Sequence, residues 1–139
     1  MSFYLLDTNT LQLYQEKHPR VVSRVLAVAP SERAISVVTV EEQLSGWYTQ
    51  LRQAKGPEKL AWAYRRLAET VRFLARIEIV DFDEPAIHRC EQLKKPKIKI
   101  RKMDMRIAAI VLERGAILVT CNVRDFHLVP DLQIEDWSK

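Results

Sequence analysis

Residues Asp104–Phe126 read DMRIAAIVLERGAILVTCNVRDF, and the fold class turns on how that stretch divides. Ile107, Ala108, Ile110 and Val111 recur at helical spacing and mark one buried side, so Met103–Arg114 reads as a helix. Gly115 supplies the stop, because glycine takes the left-handed conformation that commonly ends a helix. Ala116–Thr120 then runs apolar without alternation, the pattern of a strand covered on both faces. The run breaks off at Thr120, Asn122 and Asp125.

The same unit repeats through the chain. Ser2–Leu6 is a short apolar run that stops at Asp7, and Ala34–Val38 (AISVV) and Ile77–Val80 are further strand candidates. Helical segments fill the gaps at Thr8–Glu16, Pro19–Ala29, Thr39–Gln53, Pro57–Arg76 and Glu84–Leu93, with Pro57 and Pro85 at first-turn positions. Strands alternating with helices imply right-handed crossovers and a mainly parallel sheet covered on both sides, a three-layer α/β/α fold. At 139 residues, 47% of them hydrophobic, residues 1–139 are expected to form a single domain with a real core.

Leu60, Tyr64, Leu67, Val71 and Leu74 make one apolar stripe along the fourth helix, suited to packing against the sheet or against a partner helix. Trp47, Tyr48 and Trp62 lie on this helical pair, where they serve either core or hairpin packing or a dimer or partner face.

Several function classes are excluded. No apolar run approaches the roughly 20 residues that cross a bilayer, and MSFYLLDTNT meets an acid before a signal-peptide core could form. Cys90 and Cys121 are far apart and have no metal-spaced partners, which suits a reducing cytoplasm and argues against zinc. His18, His88 and His127 are isolated, and there is no G-x-S-x-G elbow or glycine-rich phosphate loop. The net charge is a mild +4, yet Lys94–Lys102 (KKPKIKIRK) concentrates Lys94, Lys95, Lys97, Lys99, Arg101 and Lys102 with no acid among them. Such a run is either a solvated loop or a phosphate-binding one.

In an open parallel sheet, ligands bind outside the carboxyl ends of the strands. Asp7 comes directly after the first strand, and Asn122 and Asp125 come after the fourth. Glu42 lies one turn into the helix after the second strand, while Glu41 points about 100° away. Asp104 stands at the start of its helix. Each acid alone could be an ordinary cap or surface residue. Together, carboxylates about 4 Å apart repel by about 4 kcal/mol per pair at an effective dielectric near 20, so a cluster of four needs a counter-cation. Carboxylate oxygens without imidazole or thiolate select Mg²⁺ or Mn²⁺. A hard cation beside a lysine-rich loop suits phosphodiester hydrolysis.

These residues also resemble a known family. DTN at Asp7–Asn9, SVVTVEEQLSG at Ser36–Gly46, DMRIAA at Asp104–Ala109 and TCNVRDF at Thr120–Phe126 resemble, in order and from end to end, the PIN domain of VapC-type toxins from VapBC toxin–antitoxin pairs. The resemblance implies a metal-dependent endoribonuclease whose acids fall on Asp7, Glu42, Asp104 and Asp125. It implies supporting roles for Thr8, Asn9 and Thr120. Asn122 stands where many relatives carry a further Asp, so the number of metal ions stays open. A homodimer and a VapB-type antitoxin covering the acidic pocket are implied as well, with the Thr39–Gln53 and Pro57–Arg76 helices offering a docking groove.

Lys95, Lys97, Lys99, Arg101 and Lys102 are then the chain's own candidate RNA-binding residues. Single-stranded or looped RNA is the expected substrate, because side chains cannot enter the narrow major groove of A-form duplex. The rival reading is a non-catalytic doubly wound signalling or regulatory domain that binds metal or RNA. Against a receiver-like version, Thr8 rather than a second acid succeeds Asp7, and Cys121 rather than lysine succeeds Thr120.

Overall fold

The computed structural model describes residues 2–139. Five strands form one parallel sheet: β1 (Tyr4–Leu6), β2 (Arg33–Ser36), β3 (Ile79–Val80), β4 (Ile117–Val119) and β5 (Ile134–Glu135), in the order β3-β2-β1-β4-β5. Leu5 pairs with Ala34 on one side and Leu118 on the other, and Leu6 pairs with Ile35 and Val119. Successive strand residues point to opposite faces, so this register sorts the core in two. Leu5, Ala34 and Leu118 pack on one side with helices α5 (Glu84–Lys94) and α6 (Lys102–Arg114). Leu6, Ile35 and Val119 pack on the other with α1 (Thr8–Gln15), α2 (Pro19–Leu26) and Trp137. Three layers result, and the expected α/β/α class holds. Among the described residues no helix is long and apolar enough to cross a membrane.

Several boundaries differ from the sequence expectation for physical reasons. The second strand stops at Ser36 instead of running to Val38, because the Ser36 hydroxyl accepts the Thr39 N–H at 3.2 Å and caps α3 (Val37–Gln53). The third strand shrinks to Ile79–Val80 at the sheet edge. β5 was not visible in the sequence, being two residues long and held by pairing to β4. Gly115 closes α6 with φ 62, as expected of a left-handed stop. After β4 a short helix, α7 (Val123–Phe126), carries Asp125.

Most of the apolar stripe of α4 (Pro57–Leu74) does not face the sheet. Leu60, Tyr64 and Val71 are exposed; of the stripe only Leu74, at its C-terminal end, is buried, and the helix otherwise buries Ala63 and Thr70. α3 and α4 form a hairpin on which Trp47 and Trp62 meet edge to face at 5.6 Å, with the Arg66 guanidinium over Trp47.

Candidate active site

The carboxyl ends of β1, β2 and β4, the three central strands, open onto one hollow of about 350 Å³. It is lined by Asp7, Thr8, Asn9, Gln12, Glu42, Arg101, Asp104, Asn122 and Asp125. Strand order brings this about: β1 lies between β2 and β4, so the residues just past these three strand ends converge on one rim.

Asp7 is buried and locked in place. Its Oδ1 accepts the Thr10 N–H at 2.8 Å as the cap of α1, and its Oδ2 accepts the Thr120 hydroxyl at 2.5 Å. Burial pushes its carboxyl above the usual range, the hydrogen bonds from Thr120 and Thr10 work against this, and the charge of Glu42 adds to it. Thr120 also accepts the Asn122 N–H at 2.9 Å, so one buried hydroxyl ties Asp7 to the turn that carries Asn122 and Asp125.

Glu42 reaches the hollow from the second turn of α3, while Glu41 is exposed and does not line it. Thr8 donates to Glu42 Oε1 at 2.6 Å, and Thr39 is hydrogen-bonded to Thr8 at 2.9 Å. Asp104 is the third residue of α6, in its first turn; the cap position belongs to Arg101, which makes no side-chain capping bond. A carboxylate there is favoured by the helix dipole. Burial nevertheless raises the Asp104 carboxyl above its ordinary value. Arg101 opposes that shift, while Glu42, Asp7 and Asp125 reinforce it. Asp125 accepts from the Asn122 side-chain amide at 3.1 Å.

Four acids thus share the hollow without closing on one point. Among the described residues, no three Asp, Glu, His or Cys side chains are grouped to hold a single ion as they are placed. Glu42 is turned instead onto Arg101, whose Nη2 donates to Oε2 at 2.7 Å, and Arg101 Nε lies 3.4 Å from Asp104 Oδ2. The donor set itself, carboxylates with hydroxyls and amides and no imidazole or thiolate, matches a hard divalent cation.

Two residues stand differently from the sequence expectation. Arg101, read as a member of the basic loop, lines the acidic hollow, whereas Lys95, Lys97, Lys99 and Lys102 are exposed and do not. Gln12 was not anticipated; its place one turn after Thr8 on α1 was the available signal. Gln12 and Glu42 also line a neighbouring groove of about 500 Å³, whose walls include Trp47, Trp62 and Phe73.

The PIN-domain family profile matches residues 4–132. The tRNA(fMet)-specific endonuclease VapC of Salmonella typhimurium is 30% identical over 96% of this chain and 97% of its own. Ribonuclease VapC1 of Haemophilus influenzae is 30% identical over 98% of each chain. Among solved structures, DNA-bound VapBC from Salmonella typhimurium superposes with a TM-score of 0.79 at 28% identity, covering 99% of both chains. VapBC-1 from nontypeable Haemophilus influenzae does so at 0.75 and 25%, again over 99% of both. With matches that run the length of the chain and a fold to go with them, the protein belongs to the PIN-domain family, in its VapC group.

Proposed function

We propose that this protein is a VapC-type endoribonuclease, residues 1–139 forming one PIN domain that hydrolyses RNA phosphodiester bonds with the help of Mg²⁺ or Mn²⁺. The observation that carries the reading is the convergence of Asp7, Glu42, Asp104 and Asp125, from four separate parts of the chain, on one hollow at the carboxyl rim of the sheet. The names of full-length relatives, a tRNA-specific endonuclease and ribonucleases, support the same chemistry.

Asp7, Glu42, Asp104 and Asp125 would hold a divalent ion, which would supply Lewis-acid polarisation of the phosphoryl group and activation of water. The chain's own side chains do the positioning. Thr120 and the Thr10 N–H fix the Asp7 carboxylate, Thr8 orients Glu42, and the Asn122 amide holds Asp125. Asn9 sits on the rim, where its exposed amide can meet substrate. Lys95, Lys97, Lys99 and Lys102 stand exposed and can hold flanking phosphates, a contact that weakens as salt rises.

The neighbouring solved structures are VapBC toxin–antitoxin complexes, which supports a VapB-type antitoxin as partner of this chain. The groove walled by Trp47, Trp62 and Phe73 adjoins the hollow and suits an amphipathic segment, so a bound antitoxin would cover the site. The exposed Leu60, Tyr64 and Val71 of α4 are consistent with a homodimer or partner face. Membership of the PIN family leaves no support for a receiver-type signalling domain.

The decisive experiment is cleavage of structured RNAs by the purified protein with Mn²⁺, beside Asp104→Asn and a chelated control. Loss of cleavage in both controls is expected; equal cleavage by wild type and Asp104→Asn discards the site.

A further inference from the structure

The acidic hollow already contains a cation from the chain itself. Arg101 donates from Nη2 to Glu42 Oε2 at 2.7 Å and brings Nε to 3.4 Å from Asp104 Oδ2, so one guanidinium bridges carboxylates from α3 and α6. Its partners are largely enclosed, with side-chain exposures of 18% and 13%, while Arg101 itself is 63% exposed. A guanidinium stays charged at any physiological pH, so the pairing cannot be relieved by deprotonation. It can be relieved by movement, because Arg101 precedes the first turn of α6 and its side chain caps nothing.

Arg101 also belongs to the basic run, next to its last residue, Lys102. Ile98 and Ile100 pack against the core, whereas Lys97, Lys99 and Arg101 stay exposed, so the isoleucines anchor the segment whose Arg101 lines the hollow. Released from Glu42 and Asp104, the Arg101 fork is placed to take a phosphate bidentately.

Resting on the reading of Glu42 and Asp104 as metal-binding acids, we propose that Arg101 couples ion binding to RNA binding: it occupies those carboxylates until a divalent cation displaces it, and then turns to a substrate phosphate. Ion and guanidinium compete for the same oxygens in the absence of RNA. With RNA present they cooperate, and by linkage RNA tightens ion binding by the factor that the ion tightens RNA binding.

The test reads affinity rather than turnover. Mn²⁺ alone is titrated calorimetrically into wild type, Arg101→Gln, Arg101→Lys, Lys102→Gln and Asp104→Asn. Binding of a labelled single-stranded homopolymeric RNA is tracked by anisotropy with chelator and with Ca²⁺. Arg101→Gln is expected to bind Mn²⁺ about 3–10-fold more tightly than wild type. Its RNA affinity should match wild type in chelator and fall about tenfold in Ca²⁺, with Arg101→Lys between the two because it keeps charge and loses the fork. Unchanged or weaker Mn²⁺ binding by Arg101→Gln overturns the proposal alone, as does an equal gain in Lys102→Gln, which would mark a general field effect. An RNA defect of the same size with and without Ca²⁺ also overturns it. If wild type binds Mn²⁺ no better than Asp104→Asn, the metal reading falls and takes the proposal with it.

Discussion

The hydroxyl of Thr120 donates to Oδ2 of Asp7 at 2.5 Å, joining the ends of β1 and β4 across 113 residues of sequence. Both groups are buried, so the bond satisfies a largely enclosed carboxylate oxygen. Thr120→Val keeps the shape and removes the donor. An unsatisfied buried acceptor costs about 1–3 kcal/mol, more when charged. Urea unfolding of Thr120→Val should show a loss in that range, and Thr120→Ser should recover most of it.

Asp104 is held above its ordinary carboxyl value chiefly by burial. A carboxyl whose folded pKa exceeds its unfolded value favours the fold while protonated in both states, and that contribution is lost as pH rises through the folded value. Without divalent ions, thermal stability should therefore decline as pH climbs from the ordinary value of 3.8 through the raised one, with Asp7 contributing in the same direction. Asp104→Asn should melt higher than wild type at neutral pH in chelator, by about 2–4 °C for each kcal/mol relieved. The difference should vanish in acid. Millimolar Mn²⁺ should raise the wild-type melting temperature and leave Asp104→Asn nearly unmoved.

Ser36 caps α3 by accepting the Thr39 N–H, and α3 carries Glu42 into the hollow. Replacing such a cap with Ala costs about 1 kcal/mol. Ser36→Ala should lose that much stability by denaturant titration and should also loosen the Glu42 register, measurable as weaker Mn²⁺ binding.

Trp62 packs edge to face on Trp47 in the groove beside the acids, yet remains 43% exposed. Enclosed aromatics carry a disproportionate share of binding energy, often 2 kcal/mol or more on truncation. Trp62→Ala should weaken binding of a VapB-type antitoxin about 30-fold by calorimetry. Circular dichroism should show the fold unchanged, because little of the core rests on this side chain.

Much of the fold was legible because it depends on neighbours in the chain. The apolar runs Ser2–Leu6, Ala34–Val38 and Ala116–Thr120, the helical spacing of Ile107, Ala108, Ile110 and Val111, and the stop at Gly115 are local patterns with local causes. β5 was illegible because two residues carry no periodicity, and Ile134 and Glu135 become a strand only where β4 offers a free edge. The α4 stripe was legible as apolar, but its direction was not, since the α3–α4 hairpin decides which face of the helix is covered.

The candidate site divides in the same way. By itself the sequence determined that Asp7, Glu42, Asp104 and Asp125 lie just past strand ends or in helix starts, because chain order and helical period suffice for that. Only the tertiary structure decided that both Asp7 oxygens are engaged, and that Arg101 leaves the basic loop to bridge Glu42 and Asp104. Hydrogen bonds and ion pairs act over about 3 Å, and residues 59 and 113 positions apart come that close only once strand order and helix packing are set.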